Sequence, residues 1–398
     1  MYGCKLNSIK CTVVKMSHHP VMMLLQNGNS SIQTFILVSS FLLAHSLLSM
    51  SPTPNFHMLP KLVIKRIFRI YPVYILAIGF AASWWPLTRD GPMWPMLVGA
   101  ESDVCRRKFW YHAVFLHNLV EPEHHCLVQT WFLAVSMQLY VAGCIITLSL
   151  LRARRYALPL LGIAFVVSCV ANLIRAYIHK WRPLIFISVP NNIRTMFVHE
   201  PSFSQYYTSP LASLPTCLLG LFLAFLHHHL REKGFKPSDH KWLITTCQLT
   251  VPLLPAWTGA GHLFRDHSSR HFDALYIALE RPVLALLAAV LLFGAYNGTS
   301  NKGIKNKVPK TQTTGFLRHV FSWRGWYALG RLSLAAVTLH WCLNTMVAAS
   351  SLTPITSDAL HMVAEWLASA VLAYLLAVPV TLLVDIPFQK FHSALTAK

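Results

Sequence analysis

Two arginines three residues apart are the first feature of this sequence that could do chemistry. Arg66 and Arg69 lie in the run KRIFRIYP, and residues at i and i+3 share one face of a helix. Guanidinium groups bind phosphate through paired hydrogen bonds, so the pair would suit a phosphate-bearing ligand. The same residues are typical of a basic anchor beside a membrane helix, with Tyr71 in the interfacial aromatic belt. The spacing alone favours the anchor.

Histidines supply the candidate general bases. His45 and His340 lie within apolar runs, where ionisable side chains are functional candidates by default. An imidazole can accept a proton near neutral pH, although a lone histidine in such a run more often packs against a polar neighbour. The consecutive His227, His228 and His229 lack the i, i+4 spacing that puts two ligands on one metal. We therefore predict no metal site.

The nine cysteines do not read as a disulfide framework. Five of them lie in apolar runs, where a thiol is usually a small buried hydrophobe: Cys144, Cys169, Cys217, Cys247 and Cys342. Cys105 and Cys126 share one loop between apolar runs, and an oxidising compartment would let them pair. Closing a loop of about 20 residues stabilises a fold by roughly 3 kcal/mol.

The elements that would position these residues are membrane helices. The chain is 54% hydrophobic and 12% charged, with a mean hydropathy of +0.46, whereas soluble domains carry about 25% charged residues. Apolar runs long enough to span a bilayer lie near 31–50, 70–87, 130–151, 157–174, 209–226, 242–258, 275–296, 332–350 and 360–385. The sequence therefore predicts an all-α, polytopic integral membrane protein with about nine transmembrane helices.

The net charge of +20 belongs to membrane topology. Lysine and arginine concentrate in alternate loops, which is the positive-inside pattern. It predicts a non-helical segment 1–30 outside, a transmembrane domain over 31–395, a cytosolic C-terminus, and residence in the endoplasmic reticulum or plasma membrane. The partners are then membrane lipids, and no aromatic and basic platform suggests nucleic acid. The polar, basic segment 297–314 is expected to be a flexible loop.

Several short motifs, in order along about residues 30–395, resemble the nose-resistant-to-fluoxetine branch of the integral-membrane acyltransferase-3 superfamily. The longest such segment matches at Cys105, Phe109, Trp110, Phe115, Asn118, Cys126, Trp131, Leu133, Ala134, Met137, Gln138, Leu139 and Tyr140. Further matches include Arg66 and Arg69 in a basic run, Arg281, His340, and Asp385 in the closing motif.

The sequence departs from the family's pattern at polar positions. Gln33 stands where the family has Asp, Ser136 where it has an acid, and Ser213 where it has Arg. The family also places a helix and a catalytic His before the first span, for which residues 1–30 offer no counterpart. The chain is therefore expected to be truncated or diverged at its N-terminus.

The resemblance implies O-acyl transfer from an acyl-CoA-type donor to a lipid or glycan hydroxyl. Arg66 and Arg69 would bind the donor, and His340 would be the base, because it falls on a family motif. No bound cofactor is implied, and acyl-CoA would be a co-substrate. The substituted polar positions predict impaired transfer in this chain. The alternative is a catalytically silent protein that binds or transports lipids or acts as a membrane scaffold.

Overall fold

The computed structural model of the chain describes residues 28–50, 54–187, 192, 197–235, 240–261, 269–298, 323–350 and 359–396. The elements within these ranges are helices, and no β-strand occurs among them. The predicted all-α, polytopic fold is confirmed. The predicted N-terminal segment, apart from residues 28–30, and the basic loop from residue 299 onward lie outside the described ranges.

Longer helices alternate with short connections along the described chain. They are α1 (Asn29–Leu48), α2 (Leu59–Ser83), α3 (Ala100–Ala113), α4 (Trp131–Leu151), α5 (Arg154–His179), α6 (Pro210–Glu232), α7 (Lys241–Ala260), α8 (Arg270–Gly298), α9 (Gly325–Ser350), α10 (Ala359–Val380) and α11 (Ile386–Thr396). Asn29 and Ser30 thus belong to α1, although residues 1–30 were predicted to be non-helical.

Seven helical segments in the described ranges are long and apolar enough to cross a membrane, against the nine or so predicted. They are Asn29–Leu48, Val128–Leu151, Arg154–His179, Ser202–Glu232, Arg270–Gly294, Gly325–Ser350 and Val363–Leu395. Helices α2 and α7 coincide with the other two predicted spans but fall outside this set.

Helices α1 and α6 form the centre of the larger part of the fold. A Cβ added at Gly220 of α6 would lie 2.6 Å from the carbonyl oxygen of Leu37 and 2.9 Å from the Ser40 Cβ of α1. The two backbones therefore approach as closely as small residues allow. Helices α5 and α8 pack around this pair through buried aliphatic side chains such as Leu161 and Ala285. This contact fixes the polar residues that α1, α6 and α8 carry.

Helices α2, α3 and α9 surround a second apolar core. Its fully buried members include Tyr74, Trp85, Cys105 and Leu127. Helix α10 packs against α9 through small residues, and α11 returns to α2, where the Phe388 ring stacks on Phe68. This core therefore joins the segment 105–126 to α2 and α9.

Candidate functional site

A buried polar network joins α1, α6 and α8. The Arg281 Nη1 donates to the Ser213 hydroxyl at 2.8 Å, and its Nη2 donates to the Tyr207 carbonyl at 2.9 Å. The Gln33 amide donates to Ser213 at 3.2 Å and accepts from the Thr216 hydroxyl at 2.7 Å. We call these side chains, Gln33, Ser213, Thr216 and Arg281, the Arg281 network. Its members are at most 1% exposed, so each hydrogen bond replaces a lost contact with water.

Aromatic rings complete the surroundings of Arg281. Its guanidinium lies 5.2 Å from the Tyr206 ring centroid and 5.0 Å from that of Tyr207. The ring of Trp131, a predicted motif residue, is 4.9 Å from Tyr207. The preceding Glu280 accepts a hydrogen bond from the Asn29 amide at 3.0 Å. Arg281 is thus held by hydroxyl, carbonyl and ring contacts.

Three positions singled out by the sequence resemblance meet in this network. Gln33 and Ser213 stand where the resemblance leads one to expect Asp and Arg, and the third position is Arg281. Gln33 and Ser213 are 180 residues apart in sequence, and Ser213 and Arg281 are 68 residues apart. Both substitutions leave side chains that hydrogen-bond each other. The sequence revealed the substitutions separately, and only the folded chain shows that they are neighbours.

A second polar group lies between α2 and α4. The Arg66 Nη2 donates to the Ser136 hydroxyl at 2.7 Å, and the guanidinium carbon lies 4.3 Å from the centroid of the Tyr140 ring. The Arg66 Nε is buried without a hydrogen-bond partner. We call Arg66, Ser136 and Tyr140 the Arg66 site. The predicted donor residue therefore contacts Ser136, the position at which the sequence resemblance leads one to expect an acid.

The two arginines of the predicted donor pair have different surroundings. Arg66 is partly buried and directed at α4, whereas Arg69 is exposed. An i, i+3 spacing places residues near one another on a helix surface, but α4 covers only the Arg66 side. Donor binding by the pair therefore stays a prediction, and its two members would contribute differently.

The predicted base, His340, lies on α9, which borders the same apolar core as α2. Its Nδ1 is 2.7 Å from the Val337 carbonyl oxygen of the same helix. The neighbouring Trp341 indole donates to both carboxylate oxygens of Glu101 at 2.9 and 3.2 Å. The residues that contact Arg66 lie on α4, so the structure gives His340 and Arg66 separate surroundings. The catalytic role of His340 stays a prediction.

The remaining motif residues have structural contacts. The Gln138 amide donates to the Phe115 carbonyl at 2.7 Å and to the Asn118 side chain at 2.8 Å, which ties α4 to residues 114–130. Asp385 accepts a hydrogen bond from Gln389 one helical turn later at 2.8 Å. These contacts position helices and loops.

The predicted Cys105–Cys126 disulfide is present, with the two Cα atoms 4.7 Å apart. Both cysteines lie in one segment between candidate membrane spans, and within it Cys105 belongs to the short helix α3. Apolar and charged side chains in 100–113 follow no clear period, so their pattern does not predict this helix. We call α3 and residues 114–130 the disulfide module.

Lys108 is the structural centre of the disulfide module. Its ammonium donates to the carbonyl oxygens of His117, Glu121 and His124 at 2.8–2.9 Å. Its side chain is 2% exposed, and burial lowers its pKa to about 8, so it stays protonated at neutral pH. The sequence pattern did not single out Lys108. The feature that could have done so is its position one helical turn after Cys105.

Two stacked histidines lie beside this lysine. The His112 and His117 rings are 3.8 Å apart, and the Tyr74 hydroxyl is 2.7 Å from the His112 Nδ1 and 3.4 Å from the His117 Nδ1. Burial lowers the His117 pKa to about 3 and that of His112 well below its usual range. Burial also raises the pKa of Glu101 to about 7, while its Oε1 accepts from the Leu127 amide at 2.9 Å. No motif in the sequence pointed to a role for these groups.

Two of the consecutive histidines of α6 lie close to His45 of α1, which their spacing in the sequence did not indicate. The His45 ring lies 5.7 Å from His227 and 5.0 Å from His228, and the His228 Nε2 is 3.2 Å from the His45 Nδ1. No group of three His, Cys, Asp or Glu side chains within the described ranges could hold a metal ion.

Comparison with known proteins gives one distant relative. No family model matches the chain, and no solved structure matches it. The chain is 21% identical over 295 residues to nose resistant to fluoxetine protein 6 of Caenorhabditis elegans. The match covers 72% of this chain and 34% of the relative's length. It supports a distant relationship to a nose-resistant-to-fluoxetine protein.

Proposed function

We propose that the chain is an acyltransferase-like membrane protein that binds an acyl-CoA-type donor through Arg66 and transfers acyl groups poorly. The acceptor would be a lipid or glycan hydroxyl. The observation that carries the proposal is the unmatched charge of Arg66, which has a serine and a tyrosine ring as contacts. Because the relative matches only in part, the activity rests on the resemblance and on this geometry.

A partly buried guanidinium without a counter-ion favours an anionic ligand. Within the described ranges, the one ion pair is Arg106–Asp103, on the exposed side of α3, so no described carboxylate neutralises Arg66. The serine hydroxyl and the ring leave Nε without a partner. A phosphate or the oxygen of a thioester would supply acceptors for these donors. This is the chemistry of an acyl-CoA-type donor.

The groups that would activate an acceptor hydroxyl are weak in this chain. Ser136 occupies the position of the family's acid, and a hydroxyl neither orients nor charges a base as a carboxylate does. His340 contacts its own helix backbone and has no contact with the Arg66 site. Losing a positioned base typically costs about 10²–10⁴-fold in rate. Donor binding and proton abstraction are separate steps, so the first would survive.

The second candidate is a catalytically silent protein that binds or transports lipids or serves as a scaffold. The Arg281 network favours it, because Gln33 and Ser213 hydrogen-bond each other at 3.2 Å. The two positions at which the resemblance leads one to expect charged residues carry polar ones in this chain, and these two polar side chains hydrogen-bond each other. Such a pattern fits selection for packing at this site.

The experiment measures palmitoyl-CoA binding and acyl turnover on the purified full chain. Arg66→Ala should weaken palmitoyl-CoA binding about tenfold or more, since a charge-assisted bond is lost. Lys65→Ala is the matched control, because it removes a positive charge from an exposed position one residue away on the same helix. Binding without turnover would support the proposal. Equal binding by both variants, or the absence of binding by the unmodified chain, would favour the silent protein, and fast turnover would contradict impairment.

A further inference from the structure

An open cleft of about 490 Å³ lies at the disulfide module. It is lined by Arg107 of α3, by Glu121, Pro122, Glu123 and His124, and by Gln205 of the turn before α6. A cleft of this size is in the range of small-molecule sites. Its lining is polar, whereas most such sites are apolar. The ligand that it suits must therefore be polar and carry charge.

The charges in this cleft have opposite signs and remain unpaired with each other. Arg107 has no carboxylate within 4.0 Å in the part of the chain that is described, where Arg106–Asp103 is the ion pair found. Glu121 and Glu123 likewise form no ion pair there. The cleft thus offers a guanidinium donor and two carboxylate acceptors at once.

The wall of the cleft is preformed. Lys108 binds the carbonyl oxygens of Glu121 and His124 at 2.9 and 2.8 Å, and the Cys105–Cys126 disulfide closes the segment. Glu121 has a φ of 48°, in the left-handed region that is unfavourable for a residue other than glycine. A backbone held in such a conformation by surrounding contacts loses little entropy when a ligand binds.

Exposed apolar side chains stand beside the cleft. Trp110 and Tyr111 follow Arg107 by three and four residues on α3, so they share its helix face, and Trp110 is 76% exposed. Leu119, 51% exposed, precedes Glu121 in the loop. Exposed Trp and Tyr side chains at the end of a helical bundle are typical of the headgroup level of a membrane. An apolar rim of this kind suits a cleft at the level of lipid headgroups.

We propose that this cleft binds the headgroup of a zwitterionic phospholipid that carries a primary ammonium, as in phosphatidylethanolamine. Arg107 would donate to the phosphodiester, Glu121 and Glu123 would accept from the ammonium, and the acyl chains would run along Trp110 and Tyr111. A choline headgroup has no N–H to donate and is favoured by aromatic cages, whereas no aromatic side chain lines the cleft. An anionic headgroup would meet two carboxylates. This site does not depend on acyl transfer.

The test compares three lipids with identical acyl chains on the purified full chain, by native mass spectrometry with lipid titration. The lipids are palmitoyl-oleoyl phosphatidylethanolamine, phosphatidylcholine and phosphatidylglycerol. We expect the ethanolamine lipid to bind about tenfold more tightly than the choline lipid, because charge-assisted hydrogen bonds to the ammonium are specific to it. The double variant Glu121→Gln/Glu123→Gln should abolish this preference. Arg107→Gln should weaken all three lipids, since all carry the phosphodiester.

Arg106→Gln is the matched control, because Arg106 is the adjacent exposed arginine and does not line the cleft. It should leave all three affinities unchanged. Equal binding of the ethanolamine and choline lipids would overturn the proposal, as would a preference for phosphatidylglycerol. A preference that persists in the double glutamine variant, or equal losses in Arg106→Gln and Arg107→Gln, would also overturn it. Disulfide formation in each variant confirms that the module has folded.

Discussion

Two buried cations of this chain, Lys108 and Arg66, have opposite surroundings. Lys108 donates to three carbonyl oxygens of its own module, so its charge is used in holding a loop. Arg66 has one hydroxyl acceptor and one ring, with its Nε unpartnered. The hydrogen bonds of Lys108 hold its own loop together, whereas the unpartnered Nε of Arg66 leaves a donor for which an anionic ligand would supply an acceptor.

The largest effect is expected from a substitution of Lys108, the cation with three carbonyl acceptors. Lys108→Met leaves three carbonyl oxygens without their donor, and breaking such a buried charged contact costs about 3–5 kcal/mol. We expect a marked fall in the thermal unfolding temperature and rapid hydrogen exchange in residues 117–124. The exposed Lys65 provides the control Lys65→Met. Equal stability of the two variants would show that Lys108 is not structural.

The next effect concerns the covalent link of the same module. Cys105→Ser should lower the free energy of unfolding by roughly 3 kcal/mol, because the unfolded chain regains the entropy of an open loop. Cys169→Ser, at a half-buried cysteine on α5, should change it little. The measurement is thermal unfolding with and without reductant. If Cys105→Ser and the wild-type chain unfold at the same temperature, both with and without reductant, the disulfide does not contribute to stability.

A smaller effect is expected from a substitution that gives Arg66 a further acceptor, so that its surroundings resemble those of Lys108. Ser136→Asp places a carboxylate against the guanidinium that Ser136 now contacts at 2.7 Å. The ion pair would compete with an anionic ligand, and we expect palmitoyl-CoA affinity to fall about tenfold, or about 1.4 kcal/mol. Ser136→Asn has the same size without the charge and should keep the affinity. Unchanged binding in the Asp variant would mean that the ligand does not use Arg66.

The smallest effect is the pH dependence of the disulfide module. Burial lowers the pKa of His117 to about 3 and that of His125 to about 4, whereas unfolded histidines titrate near 6.5. Unfolding therefore takes up protons between pH 6.5 and about 4, and the free energy of unfolding falls as the pH falls. Glu101, whose pKa burial raises to about 7, acts in the opposite direction, because the folded state binds this proton below about pH 7 and the unfolded state binds it only below about pH 4.5.

We expect the histidines to outweigh the glutamic acid, since His112 also has a lowered pKa. The unfolding temperature should drop between pH 7 and pH 5, and the drop should be smaller in His117→Asn. His57→Asn, at an exposed histidine of another segment, should behave like the unmodified chain. A rise in stability on acidification would show that Glu101 dominates.

Residue types and spacing predicted much of the fold. Apolar runs longer than a bilayer's width must become helices, because the hydrocarbon interior offers no other partner for backbone groups. They therefore located nine long helices, of which seven meet the length and apolarity needed to span a membrane. The shared loop of Cys105 and Cys126 predicted their bond. Helix α3 was missed, since its buried Lys108 and partly buried Glu101 break the apolar period that a sequence pattern requires.

The sequence by itself determined the class of the protein, its helices and the identity of its polar residues. Only the tertiary structure decided which of those residues meet. Gln33, Ser213 and Arg281 are distant in sequence and adjacent in space, because Gly220 lets α1 and α6 approach closely. Arg66 and Lys108 look alike in the sequence, because each belongs to a short run of basic residues. Their roles differ because a charge's environment depends on which acceptors the packing brings within hydrogen-bonding distance.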